Sequence, residues 1–334
     1  MLKNYLKMFL QGISMSLEES AKALEVLLDE KTSPMQIAAF LSMLKMKGES
    51  ENELAGMALF LQQQGMRLQF PYPTLDIVGT GGDFAGTVNI STGSAILAAS
   101  LGIPIAKHGN RSISSKAGSA DLLEALGISI EVPFGLEKQV LDDVGIVFFF
   151  APLYKPCLKK IGALRKELGI PTIFHLLGPL LNPVEPEYAL IGVAQRKDLE
   201  LMANTVRVLG NKKRALIFHG SGLDELTAIG PIDAYLVEGN EIRYFEIDPQ
   251  RLGFKRCTLE ELQGGDAALN AEILHKALLG KPSAVTDALI LTAGTALWVF
   301  GKTHSLEEGV RSARKSAGEG KGAELLKKWQ TYEI

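Results

Sequence analysis

The stretch Asp76-Ile77-Val78-Gly79-Thr80-Gly81-Gly82-Asp83, followed by Asn89-Ile90-Ser91-Thr92, decides the fold of this chain. An apolar run ends in three glycines, and a segment rich in hydroxyl groups then starts a helix of small residues. Glycines let backbone N–H groups approach an anion closely, and a helix start offers free amides at its positive end. The pattern predicts a strand, a phosphate-binding loop and a helix.

The remainder of the chain after Pro71 alternates short apolar runs with helical stretches. This alternation predicts an α/β domain with a central, mainly parallel sheet flanked by helices. The predicted strands are Leu75–Val78, Ile103–Ala106, Ile128–Val132, Ile146–Ala151, Ala189–Val193 and Ala215–His219. A β-hairpin is predicted on the same sheet, with Tyr235–Glu238 and Glu241–Ile247 joined by Gly239-Asn240. The chain is again helical from Ala267 through Trp329.

The first 70 residues predict a small all-helical N-terminal domain. Three serines stand three positions before a Glu or Gln, as in a helix capping box: Ser16 before Glu19, Ser33 before Gln36 and Ser50 before Glu53. Apolar residues recur behind them at helical spacing. We expect residues 1–70 to form a helical dimerisation domain, completed by the helix-prone segment 155–182, and residues 71–334 to form the α/β domain.

Composition excludes several classes of protein. The chain has 334 residues, 46% of them hydrophobic, which suits two globular domains. Its 35 basic and 38 acidic residues give a net charge of −3, without the basic excess of proteins that bind nucleic acid. The most apolar stretch, 284–300, contains Asp287 and is short for a membrane span. We therefore expect a cytoplasmic protein with no nucleic-acid or membrane partner.

A second polar loop follows the predicted strand that ends at Ala106. It reads Lys107-His108-Gly109-Asn110-Arg111, continues with Ser112, Ser114 and Ser115, and reaches Gly118-Ser119-Ala120-Asp121 at a helix start. A solvated basic turn would explain Lys107 and Arg111 but not the accompanying glycine, asparagine and serines. Ligands of parallel sheets bind at the carboxyl ends of strands, so this loop and the glycine loop predict one shared cleft.

Two further features predict ligands of opposite charge. Asp224 and Glu225 follow the strand Ala215–His219, and paired carboxylates opposite a phosphate site suit Mg²⁺, which also keeps waters and binds substrate phosphates. By itself, an Asp-Glu pair is a common feature of protein surfaces and does not indicate a metal site. Arg165 is a lone arginine on a predicted helix. It could grip a carboxylate through two parallel hydrogen bonds, although a surface charge is the usual role of such a residue.

Taken together, these motifs resemble the anthranilate phosphoribosyltransferase family over nearly the whole chain. The matching segments are Gly79–Asp83, Asn89–Thr92, Lys107–Ser115, Gly118–Asp121, Arg165, Leu177–Pro183, Gly222–Glu225 and Gly264–Ala271. Several long motifs in the same order are far more specific than any one of them. The resemblance implies a homodimeric, Mg²⁺-dependent enzyme that transfers a phosphoribosyl group from phosphoribosyl diphosphate to anthranilate. It also implies a fold shared with pyrimidine nucleoside phosphorylases.

The family's roles transfer to the matching positions as expectations. The resemblance implies that phosphoribosyl diphosphate is held by Gly79, Gly82, Asp83, Thr87, Asn89, Ile90, Ser91, Thr92, Lys107, His108, Gly109, Asn110, Arg111, Ser114, Ser115 and Ser119. It implies that anthranilate is held by Gly79, Asn110 and Arg165, and that two Mg²⁺ ions are held by Ser91, Asp224 and Glu225. No catalytic base is assigned. His108 is the nearest candidate for a proton partner, and a positioning role suits it better.

Three positions depart from the family pattern, and all are expected on the acceptor side of the cleft. Lys155 and His175 stand where the family commonly has His and Asn, and Pro171 stands where it commonly has Arg. Two enzyme alternatives stay open: transfer to a different aromatic amine, and a nucleoside phosphorylase of the same fold. A non-catalytic nucleic-acid-binding relative is disfavoured because it would show a basic surface and eroded motifs.

Overall fold

The computed structural model describes residues 2–112 and 116–333 of the chain. Ser114 and Ser115, two of the predicted ligands of the sugar donor, lie outside the described residues. Within these ranges, no helix combines the length and the apolar character that crossing a membrane requires.

Four helices open the chain: α1 (Leu2–Leu10), α2 (Leu17–Leu28), α3 (Pro34–Lys47) and α4 (Glu51–Gln63). The predicted capping boxes at Ser16 and Ser50 are confirmed, because both reciprocal hydrogen bonds are formed at each. The predicted box at Ser33 is wrong, since its side chain makes no cap hydrogen bond. Pro34 occupies the first helical position there. Its fixed φ suits a helix start, and it has no N–H that needs a partner.

A seven-stranded sheet lies at the centre of the larger part of the chain. Its strands are β1 (Leu75–Gly79), β2 (Ile105–Gly109), β3 (Ile146–Phe150), β4 (Tyr188–Gly192), β5 (Arg214–Gly220), β6 (Ile232–Glu238) and β7 (Glu241–Ile247). Their spatial order is β3-β2-β1-β4-β5-β6-β7. The pairs from β3 to β5 in this order are parallel, so the carboxyl ends of five strands meet at one edge. The predicted hairpin of β6 and β7 is confirmed, with Glu238 opposite Glu241.

Two strand predictions need correction. The segment Ile128–Val132 is not a strand, although Ile128, Ile130 and Val132 are buried in the core. An alternating apolar pattern reports which side chains are buried, and here the burial occurs without backbone pairing to a neighbouring strand. The strand predicted at Ile103–Ala106 is instead Ile105–Gly109. Lys107 and His108 therefore belong to β2 itself, and the strand fixes their direction.

Helices cover both faces of the sheet. Eight of them are α5 (Ile90–Ser100), α6 (Ser119–Ala125), α7 (Glu137–Val144), α11 (Asp198–Leu209), α12 (Ala267–Leu278), α13 (Ala284–Phe300), α14 (Leu306–Gly318) and α15 (Lys321–Gln330). Three further helices, α8 (Ala151–Tyr154), α9 (Lys159–Leu168) and α10 (Ile173–Leu177), follow β3. Along β5, Leu216 packs into one apolar core, whereas Ile217 packs into a second core shared with the N-terminal helices. The parallel part of the sheet is therefore buried on both faces, as parallel sheets usually are, whereas the edge strand β7 is largely exposed.

The segment 155–182 leaves the sheet and packs on the N-terminal helices. Helix α9 contacts α3, and α10 contacts both α3 and α4. The side-chain amide of Gln62 on α4 also donates a 2.9 Å hydrogen bond to the carbonyl of Leu180. This packing brings α9 and α10 over the carboxyl edge of the sheet. The division of the chain at residue 70 into two domains stays a prediction.

Candidate active site

A cleft of about 650 Å³ opens between the carboxyl edge of the sheet and helices α9 and α10. Its walls come from segments that are remote in sequence. Gly82 from the loop after β1, Lys107 from β2 and Glu225 from the loop after β5 all line it. The convergence of these loops on a single cleft is the central prediction from the sequence, and the structure confirms it.

The glycine loop turns away from β1 against Asp224. A Cβ atom at Gly79 would stand 2.2 Å from Oδ2 of Asp224, so a side chain does not fit at this strand end. The N–H of Gly81 donates a 2.6 Å hydrogen bond to the same oxygen. Gly81 and Gly82 have φ values of 67° and 84°, in the left-handed region that favours glycine. The loop therefore presents its backbone to the cleft.

Asp224 and Glu225 place two adjacent carboxyl groups in the cleft. Burial, together with the nearby carboxyl of Asp83, raises the pKa of Asp224 to about 7. Burial also raises the pKa of Glu225 well above its usual range, and the charge of Asp224 adds to this. Glu225 Oε1 accepts a 3.2 Å hydrogen bond from the N–H of Ser91 at the start of α5. The surrounding protein therefore does not provide enough positive charge to stabilise both carboxylates in their ionised form.

The donors near Asp224 and Glu225 fit Mg²⁺. Within the described ranges, no three His, Cys, Asp or Glu side chains form a complete metal site. Mg²⁺ does not need one, because it usually takes one or two protein carboxylates and completes its shell with waters and substrate phosphates. Two hard carboxyl ligands with raised pKa values, Asp224 buried and Glu225 partly buried, and a serine beside them match this requirement.

Lys107 brings a buried positive charge to the cleft. Its side chain is 2% exposed, and its Nζ donates a 2.8 Å hydrogen bond to the carbonyl of Ile77 in β1. Burial lowers the pKa of Lys107, while the carboxylates of Asp76 and Glu225 counteract the shift. Asp76 is itself buried and accepts hydrogen bonds from the N–H of His108 and from Nδ2 of Asn182. The sequence prediction did not single out Asp76 or Asn182 as supports of this region.

His108 faces the cleft as a neutral imidazole. Burial lowers its pKa to about 4, and the charges of Lys155 and Lys107 add to the effect. The Gly178 carbonyl, at the end of α10, lies beside the ring and favours a proton there. Within the described chain, the buried Nε2 atom makes no hydrogen bond. Among the described residues, Nε2 is therefore an unpaired acceptor that the surrounding side chains shield from solvent.

The loop after β2 is held together by its own polar groups. A Cβ atom at Gly109 would stand 2.2 Å from Oγ of Ser119, which donates to the carbonyl of Asn110 at 3.2 Å. Arg111 lines the cleft, but its guanidinium lies 2.9 Å from Asp121 and 2.6 Å from Glu124. These contacts between charged groups hold the Arg111 side chain against helix α6.

The opposite wall carries Arg165 on α9 and His175 on α10. The guanidinium of Arg165 lies over the ring of Phe174, 5.7 Å from its centroid, and burial lowers the pKa of this arginine. The buried Nε of Arg165 has no hydrogen-bond partner within the described residues. His175 Cδ2 stands 3.9 Å from the point where a Cβ of Gly82 would lie, so the two walls meet at the mouth.

The three departures from the family pattern differ in position. Lys155 and His175 line the cleft, whereas Pro171 is exposed and does not. The buried Lys155 ammonium lies 3.4 Å from the carbonyl of Gln62 at the end of α4. Lys155 therefore lines the acceptor wall and also contacts the C-terminal end of a helix, where a positive charge is favourable.

The structure brings most predicted ligand residues to this cleft. They are Gly79, Gly82, Asp83, Thr87, Asn89, Ser91, Lys107, His108, Gly109, Asn110, Arg111, Ser119, Arg165, Asp224 and Glu225. Ile90 and Thr92 do not line it, because the side chains of both are buried within the protein. The sequence prediction missed Phe84, which is 76% exposed at the mouth and has a positive φ of 55°. Nothing in the local pattern distinguishes it.

The fold and the cleft define a class of transferase. Residues 71–323 match the model of the α/β domain of a glycosyl transferase family, and residues 3–65 match the model of its helical bundle domain. The chain therefore belongs to this glycosyl transferase family and, by its relatives, to the anthranilate phosphoribosyltransferases.

Those relatives are similar to the chain over its whole length. The anthranilate phosphoribosyltransferase of Chlamydia caviae is 51% identical, and the match covers 99% of this chain and 96% of that protein. The crystal structure of the Thermus thermophilus enzyme is 38% identical with a TM-score of 0.89, covering 97% of this chain and 98% of that one. The Saccharomyces cerevisiae enzyme in complex with phosphoribosyl diphosphate and Mg is 26% identical with a TM-score of 0.89, covering 98% and 96%.

Proposed function

We propose that this chain is an Mg²⁺-dependent anthranilate phosphoribosyltransferase of tryptophan biosynthesis. It transfers the 5-phosphoribosyl group of phosphoribosyl diphosphate to the amine of anthranilate and releases diphosphate. The observation that supports this best is the single cleft. It sets a glycine loop, a buried lysine and two carboxylates opposite a partly buried arginine.

The sugar donor is assigned to the wall formed by β1, β2 and α5. Backbone N–H groups of the glycine loop and the positive end of α5 suit the diphosphate, because both present partial positive charge. Lys107 adds an amino group at 2% exposure, where a bound anion would favour its protonated form and screening by water is weak. The proposed donor ligands are the predicted residues that line this wall: Gly79, Gly82, Asp83, Thr87, Asn89, Ser91, Lys107, His108, Gly109, Asn110, Arg111 and Ser119.

The metal is assigned to Asp224 and Glu225, with Ser91 beside them. When bound, two Mg²⁺ ions would supply positive charge against the departing diphosphate. The two carboxylates also fix the loop and the helix that face the donor, because they accept the amides of Gly81 and Ser91 respectively.

Anthranilate is assigned to the opposite wall. The guanidinium of Arg165, held over Phe174, suits a carboxylate gripped through parallel hydrogen bonds. Asn110 and Gly79 line the same cleft and are the other two residues proposed for the acceptor. The acceptor is thereby held with its amine toward the ribose, and positioning of this kind supplies a large part of a transfer rate.

The chemical step needs charge stabilisation and orientation. The bond from ribose C1 to the diphosphate oxygen breaks with its electron pair on the oxygen. The amine nitrogen forms the new bond to C1 and then releases a proton to the departing diphosphate or to water. We assign the ring proton of His108 to Nδ1, beside the Gly178 carbonyl, which leaves Nε2 as an acceptor that can take an N–H of the amine once ligand binding uncovers it. His108 then orients the nucleophile as a neutral group and does not act as a strong base.

We further infer a cytoplasmic homodimer joined through the N-terminal helices. Helices α1 and α3 contact each other and expose three large apolar side chains: Leu10 at 78%, Met35 at 81% and Met46 at 87%. Exposed apolar groups of this kind are typical of an association surface. Sedimentation should show a dimer for the wild-type chain and a monomer for a Met35→Glu, Met46→Glu variant. A wild-type monomer would contradict the inference.

The direct test follows the loss of anthranilate fluorescence with phosphoribosyl diphosphate and Mg²⁺ supplied. We expect turnover that disappears when the metal is chelated, and an Asp224→Asn, Glu225→Gln variant that is inactive although folded. Phosphorolysis of a nucleoside without metal, and no loss of anthranilate, would instead assign the chain to the phosphorylase alternative.

A further inference from the structure

The motif Gly264-Gly265-Asp266, with Asn270 following, belongs to the matching segments but has no role in the mechanism above. It forms the start of α12, where the side chain of Asp266 caps the helix by accepting the N–H of Leu269 at 2.9 Å. Asn270 is 2% exposed and does not line the cleft. A buried amide at such a place needs partners, because burying it unpaired is costly.

The side chain of Asn270 is the first of two amides linked in series. Its Oδ1 accepts the N–H of Gly265 at 2.7 Å. Its Nδ2 donates to Oδ1 of Asn89 at 3.0 Å, and Nδ2 of Asn89 donates to the carbonyl of Ala117 at 3.0 Å. The series starts at a backbone donor and ends at a backbone acceptor. Only one orientation of each amide satisfies every bond.

This series changes what Asn89 does at the start of α5. Asn89 is the N-cap residue, and an asparagine there normally turns its side-chain oxygen back to accept an amide of the first helical turn. Here no such bond is made, because the oxygen is engaged by Asn270. The Asn89 side chain is thereby held across to Ala117, in the loop that follows β2. The positive end of α5 is left uncapped by its own N-cap side chain.

The same motif also holds the far end of the glycine loop. The N–H of Gly264 donates to the carbonyl of Gly86 at 2.9 Å, and Thr87 forms an isolated β-bridge with Gln263. A Cβ at Gly264 would stand 2.4 Å from Oδ1 of Asn270 and 2.9 Å from Cα of Val88. Glycine is therefore required here by the close approach of the α12 segment to the loop.

We propose that Asn270 is a positioning residue for the sugar donor. Through Asn89 it ties the start of α5 to the loop after β2, and it keeps the Asn89 side chain from capping the helix end that faces the diphosphate. This inference rests on the proposed function of the cleft. It adds a residue outside the cleft that sets donor affinity and leaves the acceptor wall unchanged.

The test is a double-mutant cycle between positions 89 and 270, read by calorimetric titration of phosphoribosyl diphosphate with Mg²⁺ and without anthranilate. Asn270→Ala removes both side-chain bonds. Asn270→Asp keeps an acceptor for Gly265 and offers no donor to Asn89, so it serves if the alanine variant folds poorly. His275→Ala, an exposed position on the same helix, is the matched control.

We expect Asn270→Ala to weaken donor binding roughly fivefold, the size of a lost hydrogen bond, and to leave the KM for anthranilate unchanged. In an Asn89→Ala background, Asn270→Asp should add nothing further, because it keeps the bond to Gly265 and its lost partner is already absent. The proposal would be overturned if the losses of donor-binding free energy at positions 89 and 270 were additive. It would also be overturned if Asn270→Ala weakened donor binding and raised the KM for anthranilate by the same factor. If the wild-type chain itself binds no donor, the proposed function fails. If the wild-type chain binds the donor and the Asn270 variants bind it equally tightly, the inference about Asn270 fails and the proposed function stands.

Discussion

The side chain of Asp224 lies so close to Gly79 that only glycine fits at position 79, because a Cβ there would lie 2.2 Å from Oδ2 of the aspartate. The same oxygen accepts the N–H of Gly81. The end of β1 and the acidic loop after β5 are therefore fitted to each other. Gly79 serves the proposed metal site through this close fit as well as through the backbone that it presents to a ligand.

Gly79→Ala is accordingly expected to displace Asp224 and to reduce kcat/KM roughly 100-fold, since misplacing a catalytic group by about 1 Å has effects of this order. The concentration of Mg²⁺ needed for half-maximal activity should rise as well. Gly318→Ala is the matched control, because nothing lies within 4 Å of a Cβ at that position. A Gly79→Ala enzyme with ordinary metal dependence would contradict the argument.

Arg165→Ala should raise the KM for anthranilate tenfold or more, a loss of about 1.4 kcal/mol or more. The KM for phosphoribosyl diphosphate should change little. The physical reason is that Arg165 stands on the wall opposite the glycine loop and is the partly buried guanidinium assigned to the carboxylate. Lys159→Ala, an exposed position on the same helix, controls for loss of charge on α9. Equal increases in both KM values would remove Arg165 from the acceptor site.

His108 gives a prediction about pH. Its pKa in the folded chain, about 4, lies below the ordinary value of 6.5, so the unfolded chain binds more protons between these two pH values. The folded state should therefore lose stability as the pH falls from 6.5 toward 4. His108→Gln removes this contribution, and its Tm should decline less than that of the wild type over the same range. Parallel declines of the two proteins would show that His108 is not buried as a neutral ring.

The same pKa makes a kinetic prediction for the wild-type enzyme. His108 stays neutral above pH 5. The pH profile of kcat/KM for anthranilate should therefore have the same shape near pH 6.5 in the wild type and in His108→Gln. A break near pH 6.5 that is lost in the variant would mean that this histidine titrates normally.

Phe84 gives a prediction about stability. Its φ of 55° is unfavourable for a residue with a side chain by about 1 kcal/mol. Its ring is 76% exposed and contributes little burial. Phe84→Gly should therefore leave the free energy of unfolding unchanged or raise it by up to about 1 kcal/mol, as measured by urea denaturation. Phe134→Gly, at a 55% exposed phenylalanine that packs edge-on against Tyr154, should instead destabilise the protein.

The sequence by itself determined the type and order of most elements and the composition of the cleft. Hydrophobic periodicity, capping boxes and glycine clusters depend on neighbouring residues in the sequence. The structures that they predict form at those positions, as the capping boxes at Ser16 and Ser50 show. The proximity of the loops could be predicted from the sequence because the carboxyl ends of parallel strands lie at one edge of the sheet. The local signals failed at Ile128–Val132, since burial of alternate side chains does not require a strand partner.

Only the tertiary structure decided which residues support the cleft from outside. Asn270 and Asn89 are far apart in sequence, and no local pattern shows that their amides bond in series. The requirement for glycine at position 79 likewise comes from the approach of Asp224, a residue of another strand end. Ile90 and Thr92 sit within a ligand-binding motif, yet the turn of α5 buries both side chains. Contacts between distant segments depend on how the layers pack, because the energy of each contact is set by atoms that the local sequence does not contain.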